Sequence, residues 1–122
     1  MKSIVINKSH NTLKCGICRS NITRNELIYQ SKVLYIPVCQ NCINRFTKDD
    51  VELMLNLFIA YGGYFGQFDS SQFSILNYLK NLKESGLKIQ NTEALNISLL
   101  YQSILHGISP QEYLEELAEF VI

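Results

Sequence analysis

Cys15-Gly16-Ile17-Cys18 and Cys39-Gln40-Asn41-Cys42 hold all four cysteines of the chain as two Cys-x-x-Cys pairs, with residues 19–38 between them. Each pair places two sulfurs about one tetrahedron edge apart, so together they offer the four soft donors of one structural zinc site. The intervening segment contains Leu27-Ile28-Tyr29 and Val33-Leu34-Tyr35-Ile36, β-branched or aromatic runs joined by Gln30-Ser31-Lys32. That pattern predicts a β-hairpin, which returns the second pair onto the first. Pro37 is read as the end of its second strand, and Gly16 as the flexible residue of the first knuckle.

The competing chemistries of four cysteines are two disulfides, a redox dithiol or an iron–sulfur cluster. The start Met1-Lys2-Ser3-Ile4-Val5-Ile6-Asn7-Lys8 reaches polar residues before any apolar core of a signal peptide forms, so a reducing, cytoplasmic setting is expected. A thioredoxin-type pair needs one reactive Cys-x-x-Cys beside a βαβ pattern, which is absent here. Four thiolates close a zinc ion's coordination, so the metal is expected to be structural rather than catalytic, with one ion per chain bound by Cys15, Cys18, Cys39 and Cys42. His10, five residues before Cys15, is read as an ordinary surface or hairpin residue.

Outward from this centre, Ile4-Val5-Ile6 reads as a first strand and the residues after Cys42 as a helix start. Residues 49–122 read as four helices. Val51 to Tyr61 is apolar on nearly all sides apart from Glu52 and Asn56, which predicts either a central core helix or a homo-oligomer surface. Ser70 or Ser71 caps the next helix, which carries Phe73, Leu76, Leu79 and Leu82 and stops at Ser85-Gly86. Thr92 caps a third that ends at His106-Gly107. Ser109-Pro110-Gln111-Glu112 is a capping box with proline in the first turn, opening a helix that buries Tyr113, Leu114, Leu117, Ala118 and Val121. The fold class is therefore α+β: a small zinc-stapled hairpin module over residues 1–48 and a mainly helical portion over 49–122, packed with it as one unit.

The order knuckle, hairpin, second knuckle and helix resembles the treble-clef zinc fingers. Over residues 12–48 it is also similar to Gin-type anti-sigma factors, which carry two Cys-x-x-Cys pairs around a hairpin. That resemblance implies a protein partner in the transcription machinery. The chain departs from the common knuckle by placing Arg19 and Ile43, not glycine, after the second cysteine of each pair.

Charge divides unevenly. Residues 1–48 hold eight cations against Glu26 alone, and residues 49–122 hold three against ten carboxylates. A basic zinc half suits phosphates, which makes Arg19, Arg24, Lys32, Arg45 and Lys48 the residues of an alternative nucleic-acid-binding reading. Only Arg45 and Lys48 follow the second knuckle before acidity resumes, so a protein partner is preferred. Tyr61-Gly62-Gly63-Tyr64-Phe65-Gly66-Gln67-Phe68 combines four aromatics with three glycines. It reads first as an interhelical turn whose aromatics enter the core, and alternatively as a partner-binding loop formed by Tyr61, Tyr64, Phe65 and Phe68. Phe65 is assigned to the core and at least one of the others to the surface. No phosphate loop, His-x-x-x-His pair or nucleophile–base set stands out, and no run is long enough to span a membrane, so the chain is read as a non-enzymatic regulatory or adaptor protein without a membrane segment.

Overall fold

Ile28 and Tyr29 are both buried although they are adjacent in one strand and point to opposite faces. The computed structural model, which describes residues 4–69, 73–84 and 92–120, explains this by covering that strand on both sides. Strand β4 (Leu27–Gln30) is the middle of a three-stranded antiparallel sheet between β1 (Ile4–Ile6) and β5 (Pro37–Cys39). A second ladder pairs β2 (Leu13–Lys14) with β3 (Asn21–Ile22), Leu13 opposite Ile22. The chain then forms α1 (Gln40–Arg45), α2 (Lys48–Tyr61), α3 (Ile75–Glu84), α4 (Thr92–Leu105) and α5 (Pro110–Phe120). The class is α+β, with the cysteine cluster at the hairpins and, among the described residues, four helices after residue 47.

The chain divides into two compact units, residues 1–64 and 65–122. The 48/49 boundary drawn from composition does not coincide with this division, because α2 packs on the elements that carry the cysteines. Its Leu55 lies against Gly16, and Glu52 Oε1 accepts from the Tyr29 hydroxyl at 2.7 Å and the Lys32 amide at 2.8 Å. Thr47 caps the helix by accepting from Asp50 N at 3.1 Å. Val51, Met54, Leu55, Leu57 and Phe58 are buried, whereas Leu53, Ile59 and Tyr61 are exposed. The helix is therefore one-sided, which departs from the core-helix alternative of the sequence reading and leaves the homo-oligomer alternative untested.

Two local readings change. Residues 33–36 are a turn and not a strand: Leu34 and Tyr35 have φ of 56° and 53°, and the second strand of the hairpin begins at Pro37. Proline is admitted there because the first residue of a strand can do without its ladder donor. Gly16 is required for space, since a Cβ on it would meet Ile36 Cγ2 at 2.4 Å and Leu55 Cδ2 at 2.8 Å. Its N–H donates to the Pro37 carbonyl at 2.9 Å, drawing the two knuckles together.

In the second unit, Ile75, Leu99 and Tyr113 form a buried cluster, with Phe73, Tyr78, Leu95 and Leu117 packed around it. Helix α4 ends as expected at Gly107, whose φ is 82°. The Ile108 amide donates to the Ser103 carbonyl and the Gly107 amide to the Ile104 carbonyl, the paired bonds of a Schellman turn. Ser109 Oγ accepts from Glu112 N at 3.2 Å and donates to Glu112 Oε1 at 3.1 Å, so Ser109 caps α5 while the Glu112 carboxylate meets its hydroxyl rather than its backbone N–H. Leu114 and Ala118, expected inside, are exposed, and Leu114 keeps 63% of its surface. The helix buries a narrower stripe, led by Tyr113. The assigned caps Ser70 and Ser71, the stop at Ser85-Gly86 and Val121 lie outside the described residues.

Candidate metal centre

Four sulfurs converge where the two knuckles meet. Cys15 and Cys18 flank the turn between β2 and β3, Cys39 ends β5, and Cys42 lies in the first turn of α1. Their Sγ atoms all lie within 4.8 Å of one another, with Cys15 to Cys42 and Cys18 to Cys39 both at 3.8 Å. A tetrahedron with metal–sulfur bonds of about 2.3 Å has edges of about 3.8 Å, so the donor set has the size of a zinc thiolate site. All four are free cysteines.

The knuckle backbone supplies donors to the sulfurs. The Ile17 and Cys39 amides donate to Cys15 Sγ at 3.4 and 3.3 Å, and Cys18 Sγ lies 2.9 Å from Ser20 Oγ. The first knuckle closes through the Arg19 amide to the Cys15 carbonyl, with Arg19 at φ 65°. Arg19 thus adopts the left-handed conformation for which glycine is the usual residue. Ile43 needs no such conformation, because the second knuckle runs directly into α1.

Charge explains why a cation belongs here. Hydrogen bonding from Cys42, followed by backbone N–H groups, pulls the Cys15 thiol down to about 4. Burial pushes Cys39 up, while the hydrogen bond to Cys15, then burial, pushes Cys42 up. A dication would favour the thiolate form of the whole set and displace the protons that Cys39 and Cys42 hold. Cys15, Cys39 and Cys42 are buried and Cys18 is half-buried, so the centre is nearly closed to water. The four cysteines are thus arranged to bind a metal ion.

The other sequence-derived residues are carried by several elements. Arg19 ends the first knuckle, Arg24 sits in the β3–β4 turn, Lys32 in the β4–β5 turn, Arg45 over the Phe46 ring at 5.1 Å and Lys48 at the start of α2; all five are exposed. Phe65 is buried, while Tyr61, Tyr64 and Phe68 are exposed. Phe68 also lies 5.3 Å from the His106 ring, which stacks on Phe73 at 4.5 Å. His106 Nδ1 is 3.1 Å from the Asp69 carbonyl oxygen, in keeping with a role at the helix end. His10 faces a groove beside β2 and β3 and is not among the clustered metal-ligating residues.

Sequence reasoning missed the hairpin tip. Leu34 and Tyr35 are 73% and 58% exposed, both in left-handed backbone. The turn is held from below by Ser31, itself buried, whose Oγ donates to the Val33 carbonyl at 2.6 Å and accepts from Ile36 N at 3.0 Å. No local signal marks it, since Val33-Leu34-Tyr35-Ile36 has the composition of a strand.

Scanned against protein-family models, curated proteins and solved structures, the chain matches none. Among the described residues, no helix is long and apolar enough to cross a membrane.

Proposed function

We propose that the chain is a zinc-stapled adaptor or regulatory module acting by protein–protein contact, with Leu34 and Tyr35 as its anchor. Four thiolates in a tetrahedron favour zinc over harder cations and leave no open position for a water nucleophile, which suits a structural ion and a non-enzymatic role. The succession of knuckle, β4–β5 hairpin and second knuckle opening α1 supports the treble-clef reading. The Gin-type likeness, and with it a partner in the transcription machinery, rests on the cysteine pairs and hairpin alone.

The hairpin tip carries the proposal. A two-residue turn with positive φ at both central positions is normally built from Asn-Gly or its equivalents. Leu34-Tyr35 instead accepts a backbone cost of about 1–3 kcal/mol per residue and places two large apolar side chains in water. Glu52 and Ser31 fix the turn, so the pair is presented with little entropy left to lose on docking. Exposed aromatic and aliphatic anchors of this kind carry much of the energy in protein interfaces.

The test replaces Leu34→Asn and Tyr35→Gly together. The variant should retain its metal and melt at a temperature no lower than the parent, because the new residues suit the turn. A protein captured by the parent from the source cell, then purified and titrated calorimetrically, should bind the parent and lose at least tenfold in affinity for the variant. Equal affinity for both would remove the tip from the interface.

A further inference from the structure

At the end of the β2–β3 ladder opposite the first knuckle lies a cavity of about 380 Å3, lined by residues 9–12 on one side and 21–24 on the other. We propose that it seats one nucleotide of a single-stranded nucleic acid, with Arg24 on the phosphate and His10, Asn11 and Asn21 on the base and sugar. This goes beyond the protein-contact reading and uses a different part of the first unit.

The walls are built before any ligand arrives. Asn7, buried between them, donates from Nδ2 to the Thr23 carbonyl at 3.0 Å and accepts at Oδ1 from the Ser9 amide at 3.0 Å. Its backbone holds the turn that follows Arg24, accepting from Asn25 N at 2.7 Å and donating to the Glu26 carbonyl at 2.9 Å. Register across Leu13–Ile22 and Lys14–Asn21 then fixes the separation of the two rims.

Among the described residues the lining has polar groups and no carboxylate. Ile22 is its one aliphatic residue, and none of the side chains of His10, Asn11, Asn21 and Arg24 has a hydrogen bond or ion pair among the described residues. An unpaired guanidinium selects a phosphate oxyanion. Asparagine amides offer a donor and an acceptor together, which matches base edges and sugar hydroxyls, and an imidazole offers a ring for stacking. The volume lies near the lower end of the roughly 300–1,000 Å3 of small-ligand sites, enough for one nucleotide unit. Lys8 precedes one rim, and Lys14 pairs with Asn21 on the other, so cations adjoin the groove where neighbouring phosphates of a strand would run. A base must be unstacked to enter, which selects single strands over duplex.

The metal-loaded full chain is titrated with fluorescein-labelled RNA and DNA of about a dozen nucleotides, and with the matching duplexes, at about 50 and 200 mM salt. Single strands should bind more tightly than duplex, and the RNA and DNA arms show whether the 2′-hydroxyl contributes. Arg24→Ala should weaken binding about tenfold and lower the salt slope by about 0.7. Asn21→Ala should weaken binding with the slope unchanged. Lys80→Ala on α3 should alter neither, and the Leu34→Asn/Tyr35→Gly variant should bind as the parent does, which separates this groove from the tip. Metal content and melting are checked for each variant. No binding by the parent, equal loss from Lys80→Ala and Arg24→Ala, or duplex bound as tightly as single strand would each overturn the assignment.

Discussion

At the residue scale, two positions show how the knuckles constrain chemistry beyond their sulfurs. Gly16 is surrounded by Ile36 and Leu55, so Gly16→Ala should destabilise the first unit by about 1–3 kcal/mol through overpacking, read as a lower denaturation midpoint with metal still bound. Arg19 is the opposite case: at φ 65° its side chain is a burden to the backbone, and Arg19→Gly should raise stability by about 1 kcal/mol. Cys39→Ser should abolish stoichiometric metal and unfold the first unit, since a structural zinc contributes about 10–16 kcal/mol in small finger peptides. Retained metal and an unchanged melt in that variant would disprove the four-sulfur site. Uptake by the wild type should also release protons, so affinity falls as pH falls. The cysteine spacing made this centre legible in the sequence; the reason for Gly16 was not, because crowding by Ile36 and Leu55 is a tertiary fact.

At the element scale, legibility follows how local the determining interaction is. The α4 stop at Gly107 and the Ser109 cap could be read because their hydrogen bonds close within five residues. The β4–β5 turn could not, because Ser31 and the distant Glu52 impose a conformation that Val33 to Ile36 would not choose. Likewise Leu114 fits an apolar helical stripe, yet α5 buries only the side led by Tyr113. The hydroxyl of Tyr113 donates to the Asn96 carbonyl at 3.3 Å and also to its Oδ1, joining α5 to α4. Burial pushes this phenol above its usual 10. Below pH 10 both folded and unfolded states keep the proton and the stabilisation is complete. Above it the unfolded chain ionises first, so the stability of the second unit should fall as pH rises. Tyr113→Phe should flatten that part of the decline while lowering stability near neutrality. A parent and variant with parallel alkaline profiles in urea melts would show that Tyr113 is not responsible.

At the scale of the whole molecule, the division at residue 64 revises what the charge asymmetry means. Once α2 joins the first unit, its eight cations face Glu26, Asp49, Asp50 and Glu52, while the second unit sets three cations against seven carboxylates. Four thiolates around a dication take about two further charges from the basic side. Its attraction for phosphate therefore depends on local placement, as at Arg24, more than on a bulk field. The two units also differ in what holds them. The first gathers its sheets, α1 and α2 around the sulfur centre, whereas the buried cluster of the second, Ile75, Leu99 and Tyr113, contains no cysteine. Metal removal should therefore act on one unit. With a chelator at neutral pH, amides of Ile17, Val38 and Cys39 should lose hydrogen-exchange protection, while those of Ser103, Ile104 and Leu105 in α4 keep most of theirs. Readdition of zinc should restore the first set. Parallel loss of protection in both sets would mean that the second core takes its stability from the metal centre, and that the chain folds as a single cooperative body.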